Sequence, residues 1–201
     1  QRDEDIHSRT AALLFDTDPG SVAPGQRRKA KTINFGLLYG MGPQKLAGEL
    51  GITMSEAKSF IEIYFSRLGK VSAFYEDVET WARQYGYVTT LGGRRRLLEH
   101  INSPSPNLAQ QARRMAINAV VQGSAADIIK MAMIRADQDP GLQALGARLI
   151  LQVHDELLLE VPESTAREAG ARLESIMETI YTLSVPLKVD WGSGSSWDAA
   201  H

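Results

Sequence analysis

Residues 27–40 read RRKAKTINFGLLYG, and a strict four-residue step repeats within them. The step holds two cations and then two aromatic rings, namely Arg27, Lys31, Phe35 and Tyr39. In an α-helix, residues four apart lie nearly above one another, so these side chains form one stripe about 18 Å long. A triphosphate can lie against the cations while its base and sugar lie against the rings. The spacing also fits an amphipathic surface helix with its basic residues in solvent and its rings in the core.

The composition is that of an ordinary soluble domain. The chain has 201 residues, 43% of them hydrophobic, and no cysteine. The lack of cysteine excludes a disulfide scaffold and any thiolate metal site, and it fits a reducing compartment. No apolar run approaches the roughly 20 residues of a membrane span, and no signal peptide opens the sequence. We therefore expect a cytoplasmic protein that does not bind membranes.

Charge is distributed unevenly along the chain. The net charge of -2 argues against a uniformly basic nucleic-acid binder. Basic residues nevertheless cluster at 27–31, 94–96 and 113–114, whereas acidic residues dominate 156–178. A local basic face can bind phosphates whatever the total charge. The alternative is that each cluster is a solvated surface.

The order of helical and strand patterns predicts an α+β fold. Helices come first, and a smaller strand region packed by helices comes last, which favours α+β over alternating α/β. The periodicity and breakers predict helices over about 5–15, 24–40, 43–50, 55 onward, 71–85, 108–137 and 164–183. Strand patterns predict a hairpin over 87–98, a strand-rich segment over 148–161 and a final strand over 185–191.

A pair of carboxylates lies between two strongly apolar arms, LILQV (149–153) and LLLEV (157–161). A strand–turn–strand interpretation puts His154, Asp155 and Glu156 at the tip of a mostly buried hairpin. Carboxylate oxygens are the ligands that Mg²⁺ prefers, and Mg²⁺ commonly bridges to substrate phosphates. Asp155 is the better ligand candidate, because successive strand side chains alternate faces and Glu156 can face away.

Two other interpretations of this tip stay open. It can be an exposed polar turn without a ligand. A His-Asp pair is also found in metal phosphohydrolases, but those take further ligands from separate helices. The remaining histidines here are His7, His100 and His201, and none forms a helical pair.

Three hydrogen-bonding residues, Arg114, Asn118 and Gln122, recur at four-residue steps within an otherwise apolar helix. Such a ridge can follow a nucleic-acid backbone, and its amides can meet minor-groove acceptors without reading sequence tightly. These residues can equally be internally satisfied polar groups or a solvated face.

Taken together, the segments resemble family A DNA polymerases, of the DNA polymerase I type, over essentially the whole chain. Five motifs carry the resemblance in family order: Asp5-Ile6-His7, Arg27-x3-Lys31-x3-Phe35-x3-Tyr39-Gly40, TLGGRRR (90–96), INAVVQGSAAD (117–127) and Val153-His154-Asp155-Glu156. Any one of them can arise by chance, whereas five in order cannot plausibly do so.

The resemblance implies roles for the striped helix. Arg27 and Lys31 would contact the incoming triphosphate, and Lys31 is also a candidate proton donor to pyrophosphate. Phe35 would lie against sugar and base, and in this family a phenylalanine there goes with discrimination against sugars that lack the 3′-hydroxyl. Tyr39 would stack near the templating position, and His7 would add a phosphate contact.

The resemblance also implies a metal and a DNA site. Asp155 would ligate the catalytic Mg²⁺ ions, two in the complete site, with Glu156 beside them in a supporting role. The basic run 94–96 would touch template or incoming phosphate. The residues expected to hold primer–template DNA are Arg114, Asn118, Gln122 and His154.

The resemblance divides the chain into a palm–fingers connection (1–19), a fingers lobe (20–85) and a C-terminal palm portion (86–201). Family members carry a second catalytic aspartate upstream of the Asp5-Ile6-His7 segment, and the thumb and any exonuclease domain also lie upstream. We therefore expect a fragment of a bacterial cytoplasmic polymerase that is inactive or nearly so alone. The alternative is a non-catalytic primer–template-binding module. Glu99 and Val120 stand where the family usually has proline, and we expect them to alter rigidity rather than chemistry.

Overall fold

The computed structural model describes residues 5–200, which form two compact units. The first unit comprises the described residues up to Val88 together with Arg96–Asn118, and the second comprises Thr89–Arg95 and the described residues from Ala119 onward. The helices are α1 (Ile6–Phe15), α2 (Pro24–Leu38), α3 (Pro43–Leu50), α4 (Met54–Arg67), α5 (Gly69–Tyr85), α6 (Pro106–Asp137), α7 (Pro140–Ala144), α8 (Ala166–Thr179) and α9 (Trp197–Ala200). The strands are β1 (Tyr87–Thr89), β2 (Arg95–Leu97), β3 (Arg148–Val153) and β4 (Glu156–Glu160).

The helix carrying the stripe begins at the predicted residue and ends two residues before the predicted end. Pro24 occupies the first turn of α2, where its missing N–H costs no hydrogen bond, and the Gln26 side chain accepts from the Ala23 N–H at 2.9 Å. The helix ends before Tyr39, and Gly40 follows with φ +79°. Glycine takes this left-handed conformation without the penalty that a Cβ imposes.

A hydrophobic cluster of the first unit lies between α2, α3 and α4. Its buried members are Ile33, Leu37, Leu46, Ala57 and Tyr64. A capping box begins α4: the Thr53 hydroxyl accepts from the Glu56 N–H, and the Glu56 carboxylate accepts from the Thr53 N–H. The buried cluster fixes which face of α2 turns toward the core, and so determines which face of this helix remains exposed.

α6 is longer than predicted at its N-terminus, beginning at Pro106. By length and mean hydropathy alone it could cross a membrane, but a single such helix is weak evidence, since core helices of soluble proteins pass the same test. After α6 the chain forms α7, a short helix that the sequence analysis missed. Its N-cap is Asp139, whose carboxylate accepts from the N–H groups of Gly141 and Leu142 at 3.0 and 2.9 Å.

The predicted hairpin over 148–161 is present as the antiparallel pair β3–β4, but it is not mostly buried. Ile150 is 58% exposed and Leu151 is 46% exposed. A register shift between Leu149 and Leu151 leaves Ile150 as an extra residue, a β-bulge that breaks the alternation of faces. The buried-hairpin prediction was wrong because an apolar run does not reveal which of its two faces another element covers.

The turn of this hairpin is also shorter than predicted. Val153 pairs with Glu156, so only His154 and Asp155 lie in the loop and Glu156 is the first residue of β4. One side of the hairpin is packed in the core of the second unit, where Leu157, Leu159 and Val161 contact a cluster that includes Leu142 and Leu173.

The predicted final strand over 185–191 is wrong, since this segment is irregular. Side chains of α8 instead form hydrogen bonds with the backbone of this segment and with the ring of Trp191. The Glu178 carboxylate accepts from the Val189 N–H at 3.1 Å, and the Glu174 carboxylate accepts from the Trp191 ring N–H at 3.1 Å. α8 itself ends at Thr179 rather than near residue 183.

The hairpin predicted over 87–98 is confirmed as β1 and β2, which form a two-stranded sheet. The Thr90 N–H donates to the Arg94 carbonyl at 3.0 Å, and Gly93 in the turn has φ +79°, which glycine adopts without strain. The α+β fold class is confirmed. The division at residues 19 and 85 stays a prediction.

Candidate functional site

The stripe on α2 faces solvent, and the opposite face of the helix supplies the core. Ala30, Ile33 and Leu37 are buried. Arg27 and Lys31 are exposed, and Phe35 is 44% exposed, so the alternative that places the rings in the core does not hold for Phe35. The rings of Phe35 and Tyr39 are stacked, with centroids 6.4 Å apart and planes 14° apart. The helix therefore offers cations at one end and a flat apolar surface at the other.

α1 adds a carboxylate beside the cationic end of the stripe. Asp5 caps α1 by accepting from the His7 N–H at 3.0 Å, and it accepts from the Ser8 hydroxyl at 2.6 Å. Its carboxylate also pairs with Arg27 Nε at 2.5 Å. The Arg27 guanidinium, aided by Ser8, holds the pKa of Asp5 well below its usual range. Arg27 is thus already oriented by a carboxylate, and a phosphate bound at this end would share it with Asp5.

α1 also brings His7 to the stripe. The His7 ring lies 5.7 Å from the Phe35 ring, with the planes tilted by 45°. Its Nδ1 is 2.9 Å from the side-chain nitrogen of Asn34, a buried residue of α2. All five residues expected to bind nucleotide thus lie in the first unit. The contacts given above connect four of them to α1 or to each other: His7, Arg27, Phe35 and Tyr39. Lys31 stands between Arg27 and Phe35 on the same helix.

The ridge predicted on α6 is helical throughout, but its members differ in environment. Arg114 packs over Gly40, where a Cβ would lie only 2.7 Å from Arg114 Cγ. Asn118 is half-buried, and its Oδ1 is enclosed without a hydrogen-bond partner in the described part of the chain. Gln122 is exposed. Arg114 therefore also supports the end of α2, a role that the sequence analysis did not anticipate.

The hairpin tip of the second unit presents a carboxylate on a constrained turn. His154 has φ +53°, a left-handed conformation uncommon outside glycine, and Asp155 beside it is exposed. The Gln152 side-chain amide donates to the His154 carbonyl. Glu156 is half-buried at the start of β4. Among residues 5–200 no three His, Cys, Asp or Glu side chains are grouped as a metal site.

Sequence analysis missed a second polar cluster in the second unit, centred on the buried Asp127 of α6. Its carboxylate accepts from the Thr90 hydroxyl and pairs with Arg94 Nε, both at 2.5 Å. The Ser124 hydroxyl accepts from the Leu91 N–H at 2.9 Å. The bond from Thr90, together with the Arg94 guanidinium, lowers the pKa of Asp127. The cluster fixes the turn that carries the basic run 94–96, and Arg94 itself is engaged by Asp127.

A helix face with guanidinium and ammonium groups followed by stacked rings is typical of proteins that bind phosphates and bases. Comparison with known proteins identifies the family. The model of DNA polymerase family A matches residues 1–199, and the chain belongs to that family.

Individual relatives agree with this assignment. The chain is 50% identical over 194 residues to the thermostable DNA polymerase I of Thermus filiformis, covering 96% of this chain and 23% of the relative. It is 48% identical over 200 residues to that of Thermus thermophilus, covering 100% of this chain and 24% of the relative. The chain thus spans about a quarter of the length of these relatives.

A solved structure has the same fold. The POL domain of Pol1 from M. smegmatis, in complex with DNA primer-template and dNTP, matches with a TM-score of 0.91 and 45% identity. The match covers 98% of this chain and 35% of that one.

Proposed function

We propose that this chain is part of a template-directed DNA polymerase that adds deoxynucleotides to a primer 3′-hydroxyl and releases pyrophosphate. The observation that carries the proposal is the solvent-facing stripe of α2, with His7 and the stacked rings beside it. The similar Pol1 domain, solved with DNA primer-template and dNTP, supports the same partners here. The parent protein would work in the bacterial cytoplasm without binding membranes.

In the proposed reaction the first unit binds the nucleotide. Arg27, Lys31 and His7 carry the N–H donors for the triphosphate, and the Phe35 and Tyr39 rings lie against sugar and base. Lys31 can protonate the leaving pyrophosphate, because an ammonium is both a phosphate-binding cation and a proton donor. The primer 3′-hydroxyl attacks the α-phosphorus in line. Arg114, Asn118, Gln122 and His154 would hold the primer–template.

The second unit would supply carboxylates for Mg²⁺. Asp155 fits in its chemistry, since it is an exposed carboxylate at the tip of the hairpin turn, and Glu156 can support it. Bound Mg²⁺ would neutralise phosphate charge and stabilise the departing oxygen. The described residues provide no group of three ligands, so two carboxylates alone are few for two ions. We propose that the complete site takes a further aspartate, together with the remaining palm, the thumb and any exonuclease domain, from the parent protein.

Primer extension tests both parts of this proposal. The isolated chain should show little or no extension with Mg²⁺, whereas a longer polymerase containing it should extend primers and lose this activity on Asp155→Asn. Robust, Asp155-dependent extension by the isolated chain would show that the chain needs no further carboxylate. Salt-dependent duplex binding without any extension by the longer protein would favour a non-catalytic primer–template-binding module.

A further inference from the structure

We propose that Asn34 is a positioning residue for His7, and that it holds the imidazole in the tautomer whose Nε2 carries the proton. The inference rests on the proposed function, in which His7 donates a hydrogen bond to the triphosphate. Asn34 is not part of the four-residue stripe and lies on the buried face of α2.

Asn34 is out of place in its surroundings. It is only 7% exposed and stands on the buried face of α2 next to Ile33. A buried amide costs free energy unless its donors and acceptors are paired. An apolar residue would satisfy the packing of this face more simply, so the amide calls for an explanation beyond packing.

The amide is paired at both ends to α1. Its Oδ1 accepts from the Thr10 hydroxyl at 2.9 Å, and Thr10 is also 7% exposed. The Thr10 hydroxyl hydrogen is shared with the Ile6 carbonyl, likewise at 2.9 Å. The Asn34 Nδ2 lies 2.9 Å from His7 Nδ1. In this orientation of the amide, its oxygen faces Thr10 and its nitrogen faces the histidine.

With the amide nitrogen of Asn34 facing His7, the position of the imidazole proton follows. An amide nitrogen can only donate, so His7 Nδ1 must accept and carries a lone pair. In a neutral imidazole the proton then sits on Nε2, on the edge of the ring away from Asn34. A phosphate oxygen is an acceptor, and Nε2–H can donate to it. The opposite tautomer would present a lone pair to the anion and repel it.

A double-mutant cycle in the longer polymerase tests the relay. Asn34→Leu keeps the approximate size and removes the amide, and we expect it to raise the nucleotide KM about tenfold, the effect of one charge-assisted hydrogen bond, with a smaller change in kcat. In a His7→Ala background the same substitution should change KM less than twofold. Equal effects in both backgrounds would mean that Asn34 only ties α1 to α2, and the inference would be overturned.

Two further variants keep the test decisive if Asn34→Leu fails to fold. Thr10→Val should raise KM in the same direction, and Thr10→Ser, which restores the hydroxyl, should return it to the parental value. Thr165→Val, which removes a comparable hydroxyl bond to the Leu145 carbonyl in the second unit, is the matched control and should leave KM unchanged. Failure of Thr10→Ser to restore KM would count against the relay.

Nitrogen NMR of His7 reads the tautomer directly. We expect the neutral ring to show a protonated Nε2 and an unprotonated Nδ1 in the parental protein, with a mixture in Asn34→Leu. A protonated Nδ1 in the parental protein would overturn the inference while leaving the polymerase proposal intact. If His7→Ala alone left KM unchanged, His7 would not contact the nucleotide, and that part of the proposed function would fall together with the inference.

Discussion

The hydroxyl of Tyr75, on α5, donates to the carbonyl oxygen of Leu38, the last residue of α2, over 2.6 Å. The final carbonyls of a helix have no partner within it, so this bond satisfies one that would otherwise need water. Tyr75 is buried, and that burial raises the pKa of Tyr75 to about 12. The next residue is Tyr39, the last ring of the stripe, so a core tyrosine fixes the end of the proposed nucleotide-binding face.

Tyr75→Phe should lower the free energy of unfolding by about 1–2 kcal/mol, because it leaves the Leu38 carbonyl without its donor. The ring packing against Phe65, with centroids 5.7 Å apart, should survive. Denaturant unfolding measures the change. Tyr85→Phe is the matched control, since Tyr85 is 47% exposed and its hydroxyl has no hydrogen-bond partner among residues 5–200. Equal stability of the parental protein and Tyr75→Phe would show that the hydrogen bond from Tyr75 to Leu38 does not stabilise the fold.

Gly40→Ala should destabilise the first unit by about 1–2 kcal/mol, because a Cβ disfavours the left-handed backbone that Gly40 adopts at φ +79°. The added methyl would also meet Arg114 Cγ at 2.7 Å and displace that side chain. Gly48→Ala, within α3, is a control for which we expect a change in stability of the opposite sign. Nothing lies within 4 Å of its Cβ position, so alanine there should stabilise by about 0.5–1 kcal/mol. Thermal unfolding of both variants measures these changes. A shift of the melting temperature in the same direction for both would contradict the expectation.

Local features of the first unit were predictable from sequence, because spacing and capping are local properties. The stripe, the start of α2 at Pro24 and the Thr53–Glu56 capping box all depend on residues within four positions of each other. The bond between Thr10 and Asn34 joins residues 24 positions apart, so no local pattern reveals it. The residues of the candidate site can therefore be named from the sequence, whereas the hydrogen bonds that support them are seen only in the structure.

The strand predictions failed where a strand needs a partner. The alternation of Val185, Leu187, Val189 and Trp191 imitates a half-buried strand, yet no described neighbour pairs with it, and side chains of α8 hold it instead. The bulge at Ile150 has no signature in a run of apolar residues. The pairing of a strand and the burial of its faces depend on the assembled fold. A run of apolar residues alone does not determine either of them.

Asp139→Asn should weaken the second unit by about 1–2 kcal/mol at neutral pH, because it removes the charge that pairs with Arg172 while an amide oxygen can still cap α7. Asp139 is 2% exposed, and the Arg172 guanidinium, followed by the Leu142 N–H, lowers the pKa of Asp139 from 3.8 to about 2. A carboxyl group whose pKa is lower in the folded protein stabilises the fold at pH values above its pKa in the unfolded chain. That stabilisation is lost as the pH falls through its pKa in the folded protein. The difference between parental protein and variant should therefore shrink between pH 3.8 and about 2.

Denaturant unfolding over that pH range checks this expectation. The exposed Asp77, on α5, provides a control through Asp77→Asn, which should leave both the stability and its pH dependence nearly unchanged. A constant difference between the parental protein and Asp139→Asn across the range would show that the ion pair with Arg172 does not govern the acid sensitivity.

His154→Gly should stabilise the β3–β4 hairpin by about 1 kcal/mol, since glycine adopts the left-handed φ of +53° without strain. In the longer polymerase the same change should weaken primer–template binding, because the proposed contact of the imidazole with DNA is lost. His154→Asn separates the two effects: asparagine tolerates this conformation but lacks the ring. Melting temperature and DNA affinity are the readouts. Unchanged DNA affinity in both variants would remove His154 from the proposed DNA site.

Lys31→Ala should reduce the single-turnover rate of nucleotide addition in the longer polymerase by about 10²–10⁴-fold, the range for loss of a general acid. Primer–template affinity should change little, because Lys31 lies on the proposed nucleotide-binding stripe of α2 rather than on the α6 ridge. Lys29→Ala is the matched control: Lys29 is equally exposed on α2, but two residues away it faces another side of the helix. It should retain nearly full activity. An unchanged single-turnover rate for Lys31→Ala would exclude Lys31 from the chemistry, and equal losses in both variants would reduce its role to general positive charge on α2.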